Sequence, residues 1–431
     1  MVSLTTLLRA APRLLSAVLL LPTLASGQAT PPLSPDSAIA LAVRQHPEIA
    51  AARAALRAAD ADVRQASAFA NPTLSWQYER TSAGSNTNSQ HITTLAQPLA
   101  LGRRRGRRGV AVARFDAATA SLRAAELDVA TRVIRAYAAL GAAERQAAIA
   151  RAGSEEFDRA MAALQARREA GDISGYELRR SRLEAARLAA QRAAREADVR
   201  RAQRTLAALL APTPDDAIDA TGLRVSLPTA QALREHAAAL GRTAVGDSAL
   251  DARPDVAAAA ARVREAQAAA DLAAWERVPV PSLVGGIKTE RAAGLGTLNG
   301  IAAGVSIPLP LLDRRTAAAE AATADAAAAD ASFVATRQRA RVEAHAALDA
   351  LRTAQVQLDA LAPALGDEAT RAVDAARLAY TEGEITLDAW LLALRAFADA
   401  EDAYTSLLAD ALVLRAEAAR ALGRLPSWGT P

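Results

Sequence analysis

The most regular alternation in the chain begins at Thr73. Leu74, Trp76 and Tyr78 fall on one side, and Thr73, Ser75, Gln77 and Glu79 on the other. A period of two belongs to a strand, because successive side chains leave opposite faces of the pleat. A polar turn, "TSAGSNTNSQ", follows, and a second strand is expected over residues 91–97. The pattern returns late in the chain, where residues 282–290 and 298–307 read as strands joined by "RAAGLG". In the last of these, Ile301, Ala303, Val305 and Ile307 share one face. Asn299, Gly300, Ala302, Gly304 and Ser306 take the remaining positions.

The rest reads mainly as helix. Pro47 and Pro254 each stand at a favoured first helical position. Each of those helices should end before Pro72 or Pro279, since a residue preceding proline is pushed out of the helical region. A long helical stretch follows each hairpin, over residues 103–170 and 313–382. At about 1.5 Å per residue each reaches on the order of 100 Å. Leu351, Leu358 and Leu365 fall seven apart, as do Ala354 and Leu361, which is coiled-coil spacing. Gly153 in the first stretch and Pro363 with Gly366 in the second are expected to kink it. Helices return over residues 176–211 and 387–422, and a connector with one short helix links the halves.

These matches keep one order. "HPEIAAARAALRAADADV" from His46 aligns with "RPDVAAAAARVREAQAAA" from Arg253, and "NPTLSW" from Asn71 with "PVPSLV" from Pro279. "QPLALGRRR" from Gln97 aligns with "IPLPLLDRR" from Ile307, and the Gly-acid-Ile of Gly171 with that of Gly383. Every offset is close to 210 residues, so the chain is an internal duplication of one large structural half. The expected organisation is a first copy over 30–215, a connector over 216–250, a second copy over 251–424 and a tail over 425–431.

Composition supports long paired helices over a thick globular core. More than a quarter of the chain is Ala, and aromatics make up 3%. The net charge is +4, but acids and arginines are interspersed and no basic stripe carries aromatics, so nucleic acid is not an expected partner. The absence of cysteine excludes disulfides, thiolate metal sites and Cys nucleophiles. The four histidines lack ligand spacing, so neither a metal site nor a cofactor is expected. No G-x-S-x-G, H-E-x-x-H or P-loop occurs, and "GLGTLNG" lies in a hairpin turn with no helix after it. The expectation is not an enzyme.

Arg9 and Arg13 precede "LLSAVLLLPTLA" and the small residues of "ASGQA". Residues 1–29 therefore read as a secretory signal peptide, cleaved near Gly27 or Ala29. "LASG" is close to a lipoprotein box without its Cys, so lipidation is not expected. No later run is apolar enough for a membrane helix. Strands of this length, apolar on one face and polar on the other, fit an outer-membrane barrel, although a small soluble hairpin has the same pattern. Four strands cannot close in lipid, whereas three chains would supply about twelve. A periplasmic coiled-coil structural or adaptor protein is the other class considered; it leaves the duplicated hairpins without a role.

The signal peptide, the duplication, "RQHPEI", "QPLALGRRRGRR", "ARPDVAAA" and "SIPLPLLDRR" together resemble the TolC family of outer-membrane efflux channels. "GDISGYELRRSRLEAA" and "SIPLPLLDRR" are most similar to its CzcC branch, which serves heavy-metal efflux. The resemblance spans roughly residues 34–424. It implies a mostly α fold with a β-barrel portion. Long coiled-coil hairpins would form a trimeric α-barrel below a shared barrel of about twelve strands. It also implies a homotrimer in outer-membrane lipid, a periplasmic adaptor and an inner-membrane RND-type pump. Heavy-metal cations are the expected cargo, with drugs or organic solutes as the runner-up. The arginines of "LGRRRGRR", more numerous than is usual in the family, read as a basic rim in water rather than a lipid-headgroup or nucleic-acid site.

The two Gly-acid-Ile segments are where each long helix must reverse. Gly171 and Gly383 suit the left-handed conformation that ends a helix. Ile173 and Ile385 are expected to pack inside the turn, and Ser174 and Thr386 to cap the returning helix. By the resemblance these turns form the periplasmic tip, so Gly171, Asp172, Ile173, Gly383, Glu384 and Ile385 are candidate adaptor contacts. Asp172, Glu177, Glu384 and Asp388 are candidate gate residues, since an acidic ring at a constriction favours cations. The plainer reading is that these acids favour the dipole of the returning helix.

Overall fold

The computed structural model describes residues 33–84, 86–171, 174–210, 223–241, 246–365 and 367–426. The expected signal peptide lies outside them. The first copy runs α1 (Pro35–Gln45), α2 (Pro47–Ser67), β1 (Thr73–Ala83), β2 (Asn86–Pro98), α3 (Leu101–Glu169) and α4 (Gly175–Leu210). Two connector helices follow, α5 (Ala230–Gly241) and α6 (Asp247–Asp251). The second copy is α7 (Pro254–Glu276), β3 (Ser282–Ala292), β4 (Gly296–Ser306), α8 (Thr316–Leu361), α9 (Asp367–Thr381) and α10 (Leu387–Ala421).

Four departures from the sequence reading have physical causes. The helix α1 is not among the expected elements; it is short and separated from α2 by His46 alone, where Pro47 forces extended backbone. The connector holds two helices rather than one. The hairpin turns are tighter than expected, because polar residues at both strand ends continue the ladder to Ala83↔Asn86 and Ala292↔Gly296. Finally, α3 runs through Gly153 unbroken for 69 residues. Glycine keeps its N–H and costs only about 1 kcal/mol in a helix interior. Proline removes a donor, and at Pro363 the second copy does break, into a 3-10 segment over Ala362–Leu365 between α8 and α9.

The four strands form one antiparallel sheet in the order β1-β2-β3-β4. The central β2–β3 ladder joins the two copies, from Ser89↔Arg291 to Pro98↔Ser282. Register sets the faces. Leu74 lies level with Leu95, and Trp76 with Thr93, Ile287 and Ile301. That face is apolar and open: Leu74, Trp76, Leu95, Leu283, Ile287, Ile301 and Val305 are all at least half exposed. The opposite face carries Gln77, Glu79, Gln90, Lys288 and Glu290, hydrogen-bonded or ion-paired among themselves.

The core sits well away from the sheet. Val129, Val133, Ile134, Tyr137 and Leu140 of α3 pack with Ile49, Leu206, Leu210, Leu408 and Leu412. Leu351, Ala354 and Leu358 are buried, as the seven-residue spacing requires of a seam. Among the described residues no helix is long and apolar enough to cross a membrane.

Each copy opens at a different hinge. In the first, the His46 ring nitrogen accepts the Glu48 N–H at 3.3 Å and caps α2. In the second, the equivalent residue is Arg253, 2% exposed. Its guanidinium donates to the carbonyls of Ala340 and Ala421 at 3.0 and 2.9 Å and to Asp255 and Glu343 at 2.7 and 2.9 Å. That one side chain ties the start of α7 to α8 and to the end of α10.

Candidate functional site

At the far ends of the long helices, Ile385 and Trp390 pack against Phe157 and Leu164 of α3, and Asp388 of α10 meets Arg180 of α4. At the first Gly-acid-Ile segment, Gly171 has φ +91° and its N–H donates to the Arg168 carbonyl at 3.1 Å. Asp172 and Ile173 lie outside the described residues. Ser174 Oγ then accepts the Glu177 N–H at 3.1 Å, and Glu177 sits half-buried in the first turn of α4. At the second, Gly383 has φ +82°, its N–H donating to Tyr380 O at 3.1 Å, while the Glu384 N–H reaches Ala379 O at 2.8 Å. That pair of bonds is a Schellman closure, which satisfies carbonyls the helix end leaves open. Thr386 Oγ1 caps α10 by accepting from Ala389 N at 3.3 Å. Ile385 is partly buried against Phe157, Leu164, Leu387, Trp390 and Leu391.

Behind the second turn lies a stack of rings. Trp390 is 1% exposed and lies between Phe157 of α3 and Tyr380 of α9, with centroids at 6.1 and 5.1 Å and nearly parallel planes. Sequence reasoning missed this cluster. The available signal was the rarity of aromatics: in a chain with 14 of them, Tyr380 and Trp390 flank one turn.

The acids do not share one environment. Asp388 forms a bidentate pair with Arg180 of α4, at 2.7 and 2.9 Å, and both side chains are more than half exposed. Arg180 was not among the expected residues, although it stands in the same quoted segment. Glu177 and Glu384 have no ion-pair partner among the described residues. Asp388 is also in the first turn of α10 and Glu177 in that of α4, where the helix dipole favours them.

The Asp388–Arg180 pair is the first rung of a ladder between the second hairpin and the first. Moving along α10, Arg395 meets Glu184 at 2.6 Å, Glu401 meets Arg145 at 2.8 Å, Asp402 meets Arg195 at 2.5 Å and Glu417 meets Arg135 at 2.7 Å. Burial raises the cost of charge on Glu184, but hydrogen bonds from Arg395 and Arg187 outweigh it and hold the carboxyl below its ordinary range. At Asp402 burial wins over Arg195, and the nearby Asp399 and Glu401 add to it, so its pKa is raised. A cleft of about 570 Å³ opens between the helices here, walled by Arg145, Glu156, Arg187, Arg377, Trp390 and Arg395. The exposed Asp388–Arg180 rung contributes little and breaks readily, whereas Glu184, Glu401 and Asp402 are largely buried against their arginines and hold the hairpins together more firmly. Among the described residues no group of His, Asp or Glu is placed to hold a metal ion.

An exposed apolar sheet face, a polar opposite face and long packed helices, of which the 69-residue α3 reaches roughly 100 Å, fit an outer-membrane channel subunit rather than a catalyst. The family model described as "Outer membrane efflux protein" matches residues 38–211 and 245–424, and the chain belongs to that family. It is 25% identical over 398 residues to the cobalt-zinc-cadmium resistance protein CzcC of Cupriavidus metallidurans, covering 92% of this chain and 91% of that protein. It superposes on the outer-membrane channel OprN with TM-score 0.72 at 23% identity, covering 91% of this chain and 90% of OprN. For the Campylobacter jejuni CmeC outer-membrane channel the TM-score is 0.73 at 16% identity, over 90% of this chain and 85% of that one. The chain is an outer-membrane efflux channel of the TolC type, and not an enzyme.

Proposed function

We propose that this chain is the outer-membrane component of a tripartite efflux system that exports heavy-metal cations. The observation that carries the assembly is the sheet itself. Its four strands leave β1 and β4 as open edges beside an exposed apolar face. An open edge in lipid leaves backbone groups unsatisfied, so other copies must supply the pairing. Three copies make a barrel of about twelve strands, a common closed size. The helical hairpins then project into the periplasm, and six turns face an adaptor that joins the channel to an inner-membrane RND-type pump. A metal cargo is supported by the likeness to CzcC, a cobalt-zinc-cadmium resistance protein.

Gating falls to the turns. The Asp388–Arg180 pair ties the second turn to the first hairpin in a closed tip, and Glu384 and Glu177 add negative charge beside it. Asp172, outside the described residues, is proposed for the same gate on its sequence position alone. Gly171, Gly383 and Ile385 shape the surface that the adaptor grips. Two measurements test the reading. A strain lacking the gene becomes sensitive to zinc, cobalt or cadmium, and the chain migrates as a heat-modifiable trimer from outer-membrane fractions. Unchanged metal tolerance with new drug sensitivity would replace the cargo, and soluble periplasmic behaviour would remove the channel.

A further inference from the structure

The segment "LGRRRGRR" opens α3 directly beneath the sheet, and its five arginines do not behave alike. Arg103 donates to the carbonyls of Glu276 and Val278 at 2.9 and 2.7 Å. Arg104 donates to Ser67 O at 2.7 Å and lies over the Phe69 ring at 4.2 Å. These two fasten α3 to its neighbours. Arg105, Arg107 and Arg108 are exposed and have no ion pair or hydrogen bond among the described residues. Further down the same helix most arginines are paired: Arg114, Arg132, Arg135, Arg145, Arg151 and Arg159 each meet an acid, Arg123 being an exception among the described residues.

The three free arginines and Arg104, which has no acid partner among the described residues, crowd each other. Arg105 and Arg108 are three apart on one side of α3, and Arg104 and Arg107 on another, spacings at which like charges destabilise a helix. No acid stands in the first turn of α3 and no side chain caps it, so the helix dipole adds positive potential there. Each pair lines a cleft. Arg104 and Arg107 share one with Phe69, Gln97, Pro98 and Leu99. Arg105 and Arg108 share another of about 950 Å³ with Gly102, Gly106, Trp275 and the carboxylate of Asp271, the one acid in its wall. The apolar walls are open: Phe69 is 66% and Trp275 54% exposed, and Leu99 and Val278 near them are also exposed. Gly102 and Gly106 keep this geometry, because a Cβ at either would stand 2.9 Å from Trp275 or Leu272.

A cluster of free guanidinium groups beside exposed aromatic rings at the base of a membrane sheet matches one amphipathic ligand. We infer that this collar binds the headgroups of anionic phospholipids in the leaflet facing the helices. The guanidinium forks bridge headgroup phosphates and relieve the repulsion between arginines, while Phe69, Trp275 and Leu99 receive the first acyl carbons. The sequence alone left this rim in water; the sheet above it and the apolar walls beside it replace water with lipid. The inference rests on the outer-membrane placement of the sheet.

The test uses the delipidated full-length channel, titrated with phosphatidylglycerol or phosphatidylcholine of equal chain length and read by native mass spectrometry. Phosphatidylglycerol should be retained at least about tenfold more strongly, since each arginine near an anionic surface adds severalfold. The R105Q/R107Q/R108Q variant should retain the two lipids equally. Equal retention by the wild-type channel overturns the inference, whether or not the variant assembles. If the wild-type channel still conducts in planar bilayers, its outer-membrane role stands. Displacement of phosphatidylglycerol by an equal concentration of inorganic phosphate would make the collar a free-phosphate site and overturn the lipid assignment. An altered cation-to-anion permeability in the variant with unchanged lipid retention would place these arginines in the channel and likewise overturn it.

Discussion

Gly171 and Gly383 turn their helices with the same left-handed backbone, yet the two turns are braced differently. Trp390 follows the second turn, buried between Phe157 and Tyr380. The matching position after the first turn is Leu178, half-buried and outside any core cluster. The same asymmetry runs up the hairpins. The outgoing helix of the first copy is one unbroken α3, whereas that of the second is broken into α8 and α9 around Pro363. At the other end, Arg253 replaces His46 and ties three helices instead of two residues. A duplication made the two copies alike in backbone. Their differing residues make one an unbroken strut and the other a jointed arm, anchored at its root by Arg253 and at its tip by Trp390.

Substitution can break that contrast in order of expected size. Trp390→Ala should destabilise the second hairpin by about 3–5 kcal/mol, the cost of deleting a buried aromatic side chain. Leu178→Ala should cost only about 1 kcal/mol. Thermal midpoints of the detergent-extracted channel compare the two, and equal losses would mean the turns are braced alike. Gly153→Pro copies the break of the second helix into the first and should cost about 3 kcal/mol. Pro363→Ala should cost nothing by the same thermal measurement; a large loss would show that the joint is required for packing.

Arg253→Ala should cost about 3 kcal/mol, because it leaves buried carbonyls and a paired carboxylate without their donor. His46→Ala loses a single cap and should cost about 1 kcal/mol. The roots also differ in pH dependence. Burial, aided by the Arg132 charge and opposed by Glu48, lowers the pKa of His46, so the fold favours its neutral ring. Its contribution is present above the unfolded histidine pKa, about 6.5. It is lost as pH falls from there through the lower folded value, because the unfolded chain takes up the proton first. At Asp255 burial opposes the charge, but the hydrogen bonds and charge of Arg253 prevail and depress the pKa. That contribution persists to lower pH, and fails only as pH drops through the depressed value. Thermal midpoints between pH 7 and 5 should fall in wild type and fall less in His46→Gln, with Arg253→Ala keeping the wild-type slope.

The smallest change in stability belongs to Asp388→Asn. Its pair with Arg180 is more than half exposed on both sides and contributes under about 1 kcal/mol. Its functional effect should be larger: a higher open probability in planar bilayers and a weaker preference for cations. A variant that conducts like wild type would remove Asp388 from the gate. Gly383→Pro, at a backbone angle proline cannot adopt, should weaken adaptor-dependent efflux more than Asp388→Asn does, while the trimer still reaches the outer membrane.

Much of this molecule is written in local pattern. The period of two at Leu74, Trp76 and Tyr78, the prolines that open α2 and α7, the Gly-acid-Ile turns and the seven-residue spacing of Leu351 and Leu358 are short-range signals. Each follows from steric or hydrogen-bonding limits on a few neighbouring residues, so composition and spacing sufficed to place them. Duplication repeated the strand, proline and turn signals in both copies. What the sequence could not decide were contacts between residues far apart in it. Arg180 meets Asp388 across 208 positions, and Arg253 meets Ala421 across 168. Nothing in local pattern distinguishes Arg180 from the arginines around it, and the rarity of aromatics singles out Trp390 without saying which rings it meets. Those pairings depend on how the second hairpin lies against the first, a choice made by packing of the assembled helices. Propensity and periodicity determined the parts; only the tertiary structure decided which charges meet, which rings stack, and which arginines of α3 remain free beneath the sheet.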